Sequence, residues 1–176
     1  MIFQYWGLPD MRANGLKLTL AILIMAAAAL LIWPEKIWSL VAGPADLGPV
    51  DFASLEKPAS PNAYLACPAA TCPTYGPDME PPTFEMDAAS LKALARAVWS
   101  AEPGVTLVED ADMSMRFVQR TAWLKFPDTV SVRFLTLSDK QSTLVIYSRS
   151  QIGYSDLGAN ETRVKHWLDL LVKARP

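Results

Sequence analysis

The sequence predicts an α+β domain carried on an N-terminal transmembrane helix. Three observations predict it. Residues 16–33 read LKLTLAILIMAAAALLIW, eighteen residues with a single charge, Lys17. Nine of the 14 prolines fall within residues 43–86, where regular structure is therefore disfavoured. From Asp87 onward a helix-spaced apolar stripe gives way to four strand-like runs and then to a second stripe.

The apolar run comes first. At 1.5 Å per residue a helix of this length nearly crosses the roughly 30 Å hydrocarbon core of a bilayer. The predicted anchor covers residues 16–38, with residues 1–15 ahead of it. Arg12 and Lys17 precede the run, whereas Lys36 behind it is paired with Glu35. The positive-inside rule then places the N-terminus in the cytoplasm and the C-terminal domain in the periplasm of a bacterial inner membrane, crossed once. Trp33 and Trp38 fall where an interfacial aromatic belt belongs, with Tyr5 and Trp6 on the opposite side. A cleaved signal peptide is the alternative. A cut after Val41-Ala42-Gly43 is blocked by Pro44, and one after Gly43-Pro44-Ala45 is weak and far from the apolar core, so an uncleaved signal-anchor is the favoured reading. Met11 opens a more conventional start than Met1, and neither cysteine is placed for lipidation.

Residues 43–86 read as a Pro-rich arm rather than a low-complexity tether, because Phe52, Leu55, Tyr64, Leu65 and Tyr75 are interspersed and can dock it onto a folded domain. Cys67 and Cys72, in ACPAATCP, suit a structural disulfide in an oxidising compartment. Such a short loop contributes about 2 kcal/mol by chain entropy. Haem attachment needs a Cys-x-x-Cys-His run, zinc needs four ligands against the single His166, and redox pairs use a shorter gap.

Residues 87–176 form the predicted domain. Asp87 caps a helix whose Leu91, Leu94, Ala95, Val98 and Trp99 make one stripe, ended by Glu102-Pro103-Gly104. Strands are expected over 105–109, 115–126, 129–137 and 142–150. The breaks between them are short, which favours a four-stranded antiparallel meander. Val130, Val132 and Phe134 share a face of the third strand, and Leu144 and Ile146 of the fourth. A closing helix over 160–174 carries Val164, Trp167, Leu168 and Leu171, so both helices pack on one sheet face.

Net charge is −2, which gives no bulk electrostatic case for nucleic-acid binding. Residues 43–112 hold three basic and eleven acidic groups, and 113–176 hold ten basic and five acidic. Two halves facing each other in one domain explain this asymmetry; a basic surface meeting an acidic partner is the sharper alternative.

The densest polar run is YSRSQIGYSDLGANETR, residues 147–163. Its structural reading has Gly153 and Gly158 making turns, Asn160 capping the last helix, and Asp156 accepting from Arg149 or Arg163. Its functional reading has Tyr147, Arg149, Tyr154 and Arg163 holding a polar or anionic ligand. Strand alternation is further expected to gather Arg120, Arg133 and Arg149 on an open sheet face, an ordinary solvated surface or a docking surface for a protein or lipid head group. Binding candidates are therefore Arg120, Arg133, Tyr147, Arg149, Tyr154, Asp156 and Arg163. No nucleophile elbow, zinc-protease helix, phosphate loop or dinucleotide fingerprint occurs, so no catalytic residue, metal or cofactor is indicated.

The segments SPNAYLACP, PPTF, FVQRTAWLKFPDTVSVRF and YSRSQIGYSDLGANETRVKHWL resemble the family catalogued as domain of unknown function 1499, over roughly residues 51–171. The resemblance implies one domain over 43–176 with a long N-terminal arm. It implies no enzyme class, cofactor or catalytic residue, and the family has bacterial and chloroplast-type members. Three functions follow as expectations: a non-catalytic membrane-anchored domain binding a protein or lipid partner; a binder of small hydrophobic ligands, with a pocket between sheet and helices lined by Trp99, Trp123, Phe134 and Trp167; and an enzyme of unknown class using the 147–163 cluster.

Overall fold

The computed structural model describes residues 11–175, so the roles expected of Tyr5, Trp6 and the Met1 start lie outside the described residues. Helix α1 (Met11–Ile32) is exposed along its apolar length. Its stretch Asn14–Ile32 is long and apolar enough to cross a membrane, and a signal sequence has the same composition. The helix breaks at Trp33, and α2 (Pro34–Ala42) starts with proline at its first turn, where the missing amide costs nothing. The segment 16–38 expected as one anchor thus spans α1 and the start of α2.

The domain is a five-stranded antiparallel sheet in the order β1-β5-β4-β3-β2. Strands β2 (Val105–Ala111), β3 (Ser114–Arg120), β4 (Pro127–Ser138) and β5 (Gln141–Ser150) form the expected meander. The fifth strand is a correction. β1 (Ala63–Ala66) lies inside the Pro-rich arm and pairs Ala63 with Arg149 and Leu65 with Tyr147. Four residues between Asn62 and a Cys-Pro pair are too few to show an alternation. β3 is also shorter than expected, because residues 121–126 leave the sheet as a turn.

Helices α3 (Ala88–Trp99) and α4 (Ala159–Ala174) both cover one sheet face. The Asp87 carboxylate caps α3 by accepting from the Ser90 amide at 2.9 Å. Leu91, Ala95 and Trp99 from α3 meet Val164, Trp167 and Leu171 from α4 over Phe117, Val130, Val132, Phe134 and Ile146. Trp99 stacks on Trp167 at 4.9 Å, with Phe117 edge-on to both.

The opposite sheet face is covered by the arm. Phe52, Leu65, Tyr75 and the Cys67–Cys72 disulfide pack on Val145 and Tyr147 as a second, smaller core. The aromatic residues scattered through the arm therefore dock it, and the disulfide lies within the docked path. Tyr75 meets Tyr147 edge-on at 5.7 Å, and burial pushes both phenols' pKa values up.

Candidate functional site

Alternation along β3, β4 and β5 divides the expected binding residues between the two sheet faces. Arg120, Arg133, Tyr147 and Arg149 lie on the arm's face, whereas Asp128, Ser148 and Ser150 lie on the helical face. Arg120, Arg133 and Arg149 thus share one face, but the face is not open. Arg149 donates to the carbonyls of Leu47 and Gly48 at 3.1 and 3.0 Å, and burial lowers its pKa. The Arg133 guanidinium lies 5.8 Å from the Phe52 ring centroid. Arg116 is held by Asp46 at 2.8 Å and by Glu109. The arm supplies most of these partners, so its acidic and carbonyl groups answer the basic second half of the chain.

Arg163 sits on the other face, in a buried polar centre. Its guanidinium is paired with Asp128, donates to Gln119 Oε1 at 2.7 Å and to Ser148 Oγ at 2.8 Å, and also reaches Asn160. The side chains of Arg163 and Asp128 are only 7% and 5% exposed. Asp156 pairs with neither arginine. Its carboxylate accepts from the amides of Gly158 at 3.0 Å and Asn160 at 2.7 Å, capping α4. Asn160 does not cap; it is buried, and its amide donates to the Asn62 carbonyl and to Ser150. Tyr154 is exposed on the loop before α4. The residues 147–163 therefore do not converge on one ligand, because the pleat sends Tyr147 and Arg149 away from Arg163.

The pocket expected between sheet and helices is filled. Trp99, Phe134 and Trp167 pack directly into the core, and Trp123 stands 90% exposed on the β3–β4 turn. A cleft of about 700 Å³ lies elsewhere, between the β3–β4 turn, the turn before β2 and the first half of α4. Gly104 makes its wall tight: at φ +76° its carbonyl accepts from the Arg120 amide, and a Cβ there would meet the Arg120 carbonyl oxygen at 2.7 Å. Arg120, Lys125, His166 and Leu157 line it, with Trp167 buried behind. His166 Nε2 lies 2.9 Å from Glu102.

Two features set this cleft apart. Among the described residues, the non-glycine residues with positive φ are Lys125 at 55° and Leu157 at 54°, and both line it. Such backbone costs about 1–3 kcal/mol and concentrates at binding sites. The Trp167 Nε1–H, in the core beneath the cleft, is buried without an acceptor in the protein. Sequence reasoning selected Arg120 and Arg163 from this cleft, placed Trp167 in a different pocket, and missed Lys125, Leu157 and His166. Leu157 and Lys125 carry no local signal for a left-handed backbone, which glycine or asparagine would have given.

The cleft lies beside the C-terminal end of α1. Lys125 also lines a depression with Leu31, Ile32 and Trp33, where α1 ends. Trp38 of α2 donates through Nε1 to the Leu124 carbonyl, and its ring lies 4.4 Å from Phe126. Gln151 donates to the carbonyls of Ala42 and Pro44. Among the described residues no group of His, Cys, Asp and Glu is placed to hold a metal.

Residues 55–171 match the model of a family described as a protein of unknown function, DUF1499. No curated protein matches the chain.

Proposed function

The chain belongs to the DUF1499 family, and from that footing we propose that it is a non-catalytic, membrane-anchored domain that binds a lipid in the cleft beside its anchor. α1 serves as an uncleaved single-pass anchor in a bacterial inner membrane, N-terminus in the cytoplasm and folded domain in the periplasm. The flanking Arg12 and Lys17 and the oxidised Cys67–Cys72 pair support that orientation.

The observation that carries the proposal is that Lys125 lines both the cleft and the depression at the end of the apolar helix. A cleft that begins where the membrane segment ends is within reach of a lipid that never leaves the bilayer. Its chemistry is matched to one. Leu157 and Ala122 supply apolar wall, and Lys125 supplies a cation for a phosphate. The enzyme reading loses its basis, since the residues it rested on lie on opposite faces of the sheet.

The test is lipid retention. Full-length chain purified in mild detergent and washed extensively is expected to keep bound phospholipid. Thr162→Trp, which fills the cleft from an exposed position on α4, should keep several-fold less. The anchor is unchanged in both, so lipid around α1 cancels. Equal phospholipid in the two proteins overturns the proposal.

A further inference from the structure

We infer that the two loops flanking this cleft, 121–126 and 151–158, dip into the headgroup layer of the membrane that holds α1, with Trp123 and Leu157 as the inserted side chains. The inference rests on the membrane-anchor reading above, and not on occupancy of the cleft.

Exposure is the first observation. Trp123 is 90% exposed and Leu157 96%, the two highest values among the large apolar side chains of the folded domain. They do not stand singly, because Leu157 and the turn residues Thr121, Ala122 and Lys125 line the same cleft. Leu157 keeps its outward place at a left-handed φ of 54°, a conformation leucine does not adopt freely. The Ser155 hydroxyl accepts from the Leu157 amide, and the Asp156 carboxylate from Gly158 on its other side.

Position is the second. Both loops are pinned to α2 and its C-terminal end, the turn through Trp38 to Leu124 and Phe126 and the loop through Gln151 to Ala42 and, just beyond the helix, Pro44. From Ile32, the last residue of the apolar span, to Trp38 the helical rise is at most about 9 Å. The headgroup layer extends about 5–7 Å beyond the hydrocarbon. The pinned turn therefore lies at headgroup depth or just above it, and an outward tryptophan has only a few ångströms to cover.

Chemistry is the third. Tryptophan is enriched at membrane interfaces, where its ring meets the acyl boundary and its N–H meets water. Lys125 near the span's end suits anionic headgroups. Because α1 already tethers the domain, even a weak insertion is populated, since the bilayer is at high effective concentration.

The experiment uses the full chain in vesicles of phosphatidylethanolamine and phosphatidylglycerol. The native cysteines are bonded to each other, so a nitroxide reacts only with an introduced thiol. Labels go on Trp123→Cys, Leu157→Cys and, as control, Leu137→Cys. Leu137 is an exposed leucine near the far end of the twelve-residue β4, about 33 Å along the strand from the turn. The ratio of collisions with dissolved oxygen to collisions with a water-soluble nickel complex should be several-fold higher at 123 and 157 than at 137. Equal ratios at all three, with the chain still in the vesicle pellet after carbonate washing, overturn the insertion and leave the anchor standing. Loss of the chain from the pellet overturns the anchor itself.

Discussion

Arg163 is the residue whose replacement should cost the fold most. It is buried, it bridges β4, β5 and α4, and its carboxylate partner Asp128 is equally buried. Removing one side of such a pair leaves a charge without compensation, at about 3–5 kcal/mol. Arg163→Ala is therefore expected to lower the melting temperature by about 10 °C or more, read by circular dichroism. Asp128→Leu combined with Arg163→Met should recover part of the loss, because no lone charge remains. Asp156→Ala removes only a helix cap and should cost about 0.5–2 kcal/mol. The sequence offered Arg163 as one of several binding candidates and gave Asp156 either Arg149 or Arg163 as its partner. Asp128 stands 35 positions away, and only the register of β4 against β5, Asp128 opposite Ser150, brings it beneath α4. Spacing made the Asp87 cap legible but put the α4 cap on Asn160 instead of Asp156, and partners across a sheet leave no local spacing at all.

At the scale of elements, the arm is the part most easily misjudged from its prolines. Period-2 alternation reveals β4 and β5, and period-3.6 stripes reveal α3 and α4, since each pattern repeats within one segment. The arm buries isolated side chains against a face formed by residues far along the chain, so no internal period betrays it. Its attachment should respond to pH through Asp46. Burial raises the Asp46 pKa, but the hydrogen bonds from Arg116 and from the Gly48 amide outweigh it and hold it below the ordinary 3.8. A carboxyl with a depressed native pKa stabilises the folded state above its unfolded value and loses that contribution as pH falls through the native value. The arm segment around Leu47 and Gly48 should therefore gain amide exchange on acidification below about pH 3.8, ahead of β4 and β5. Asp46→Asn should show the same looseness at neutral pH. The disulfide acts on the same element. Cys67→Ser with Cys72→Ser should cost about 2 kcal/mol by loop entropy and make the arm cleavable by added protease while the sheet stays protected.

At the scale of the molecule, the chain leads from an exposed apolar helix through α2 into an arm, and α2 is the element that decides how the domain sits on that helix. A flexible connection would let the domain tumble at a linker's length from the bilayer, and the cleft would then face water as often as lipid. The connection here is not of that kind. Trp38 contributes both its Nε1 bond to Leu124 and its ring contact with Phe126, each made to the very turn that carries Trp123 and Lys125. The sequence placed Trp38 in an aromatic belt and so assigned it to lipid; it is half-buried against the domain instead. That difference makes a prediction about the whole assembly. Trp38→Ala removes one hydrogen bond and one aromatic pair, together about 1–3 kcal/mol. All of that loss falls on the contact between α2 and the domain, and none on the two cores of the sheet. Thermal melting of the domain should therefore stay within about 1–2 °C of the parent. A nitroxide at residue 157 should meanwhile shift toward the aqueous collision ratio of residue 137, and retained phospholipid should fall as it does for Thr162→Trp. Unchanged collision ratios in Trp38→Ala would mean that the loops find the bilayer without α2, and that the orienting element is the inserted side chains themselves.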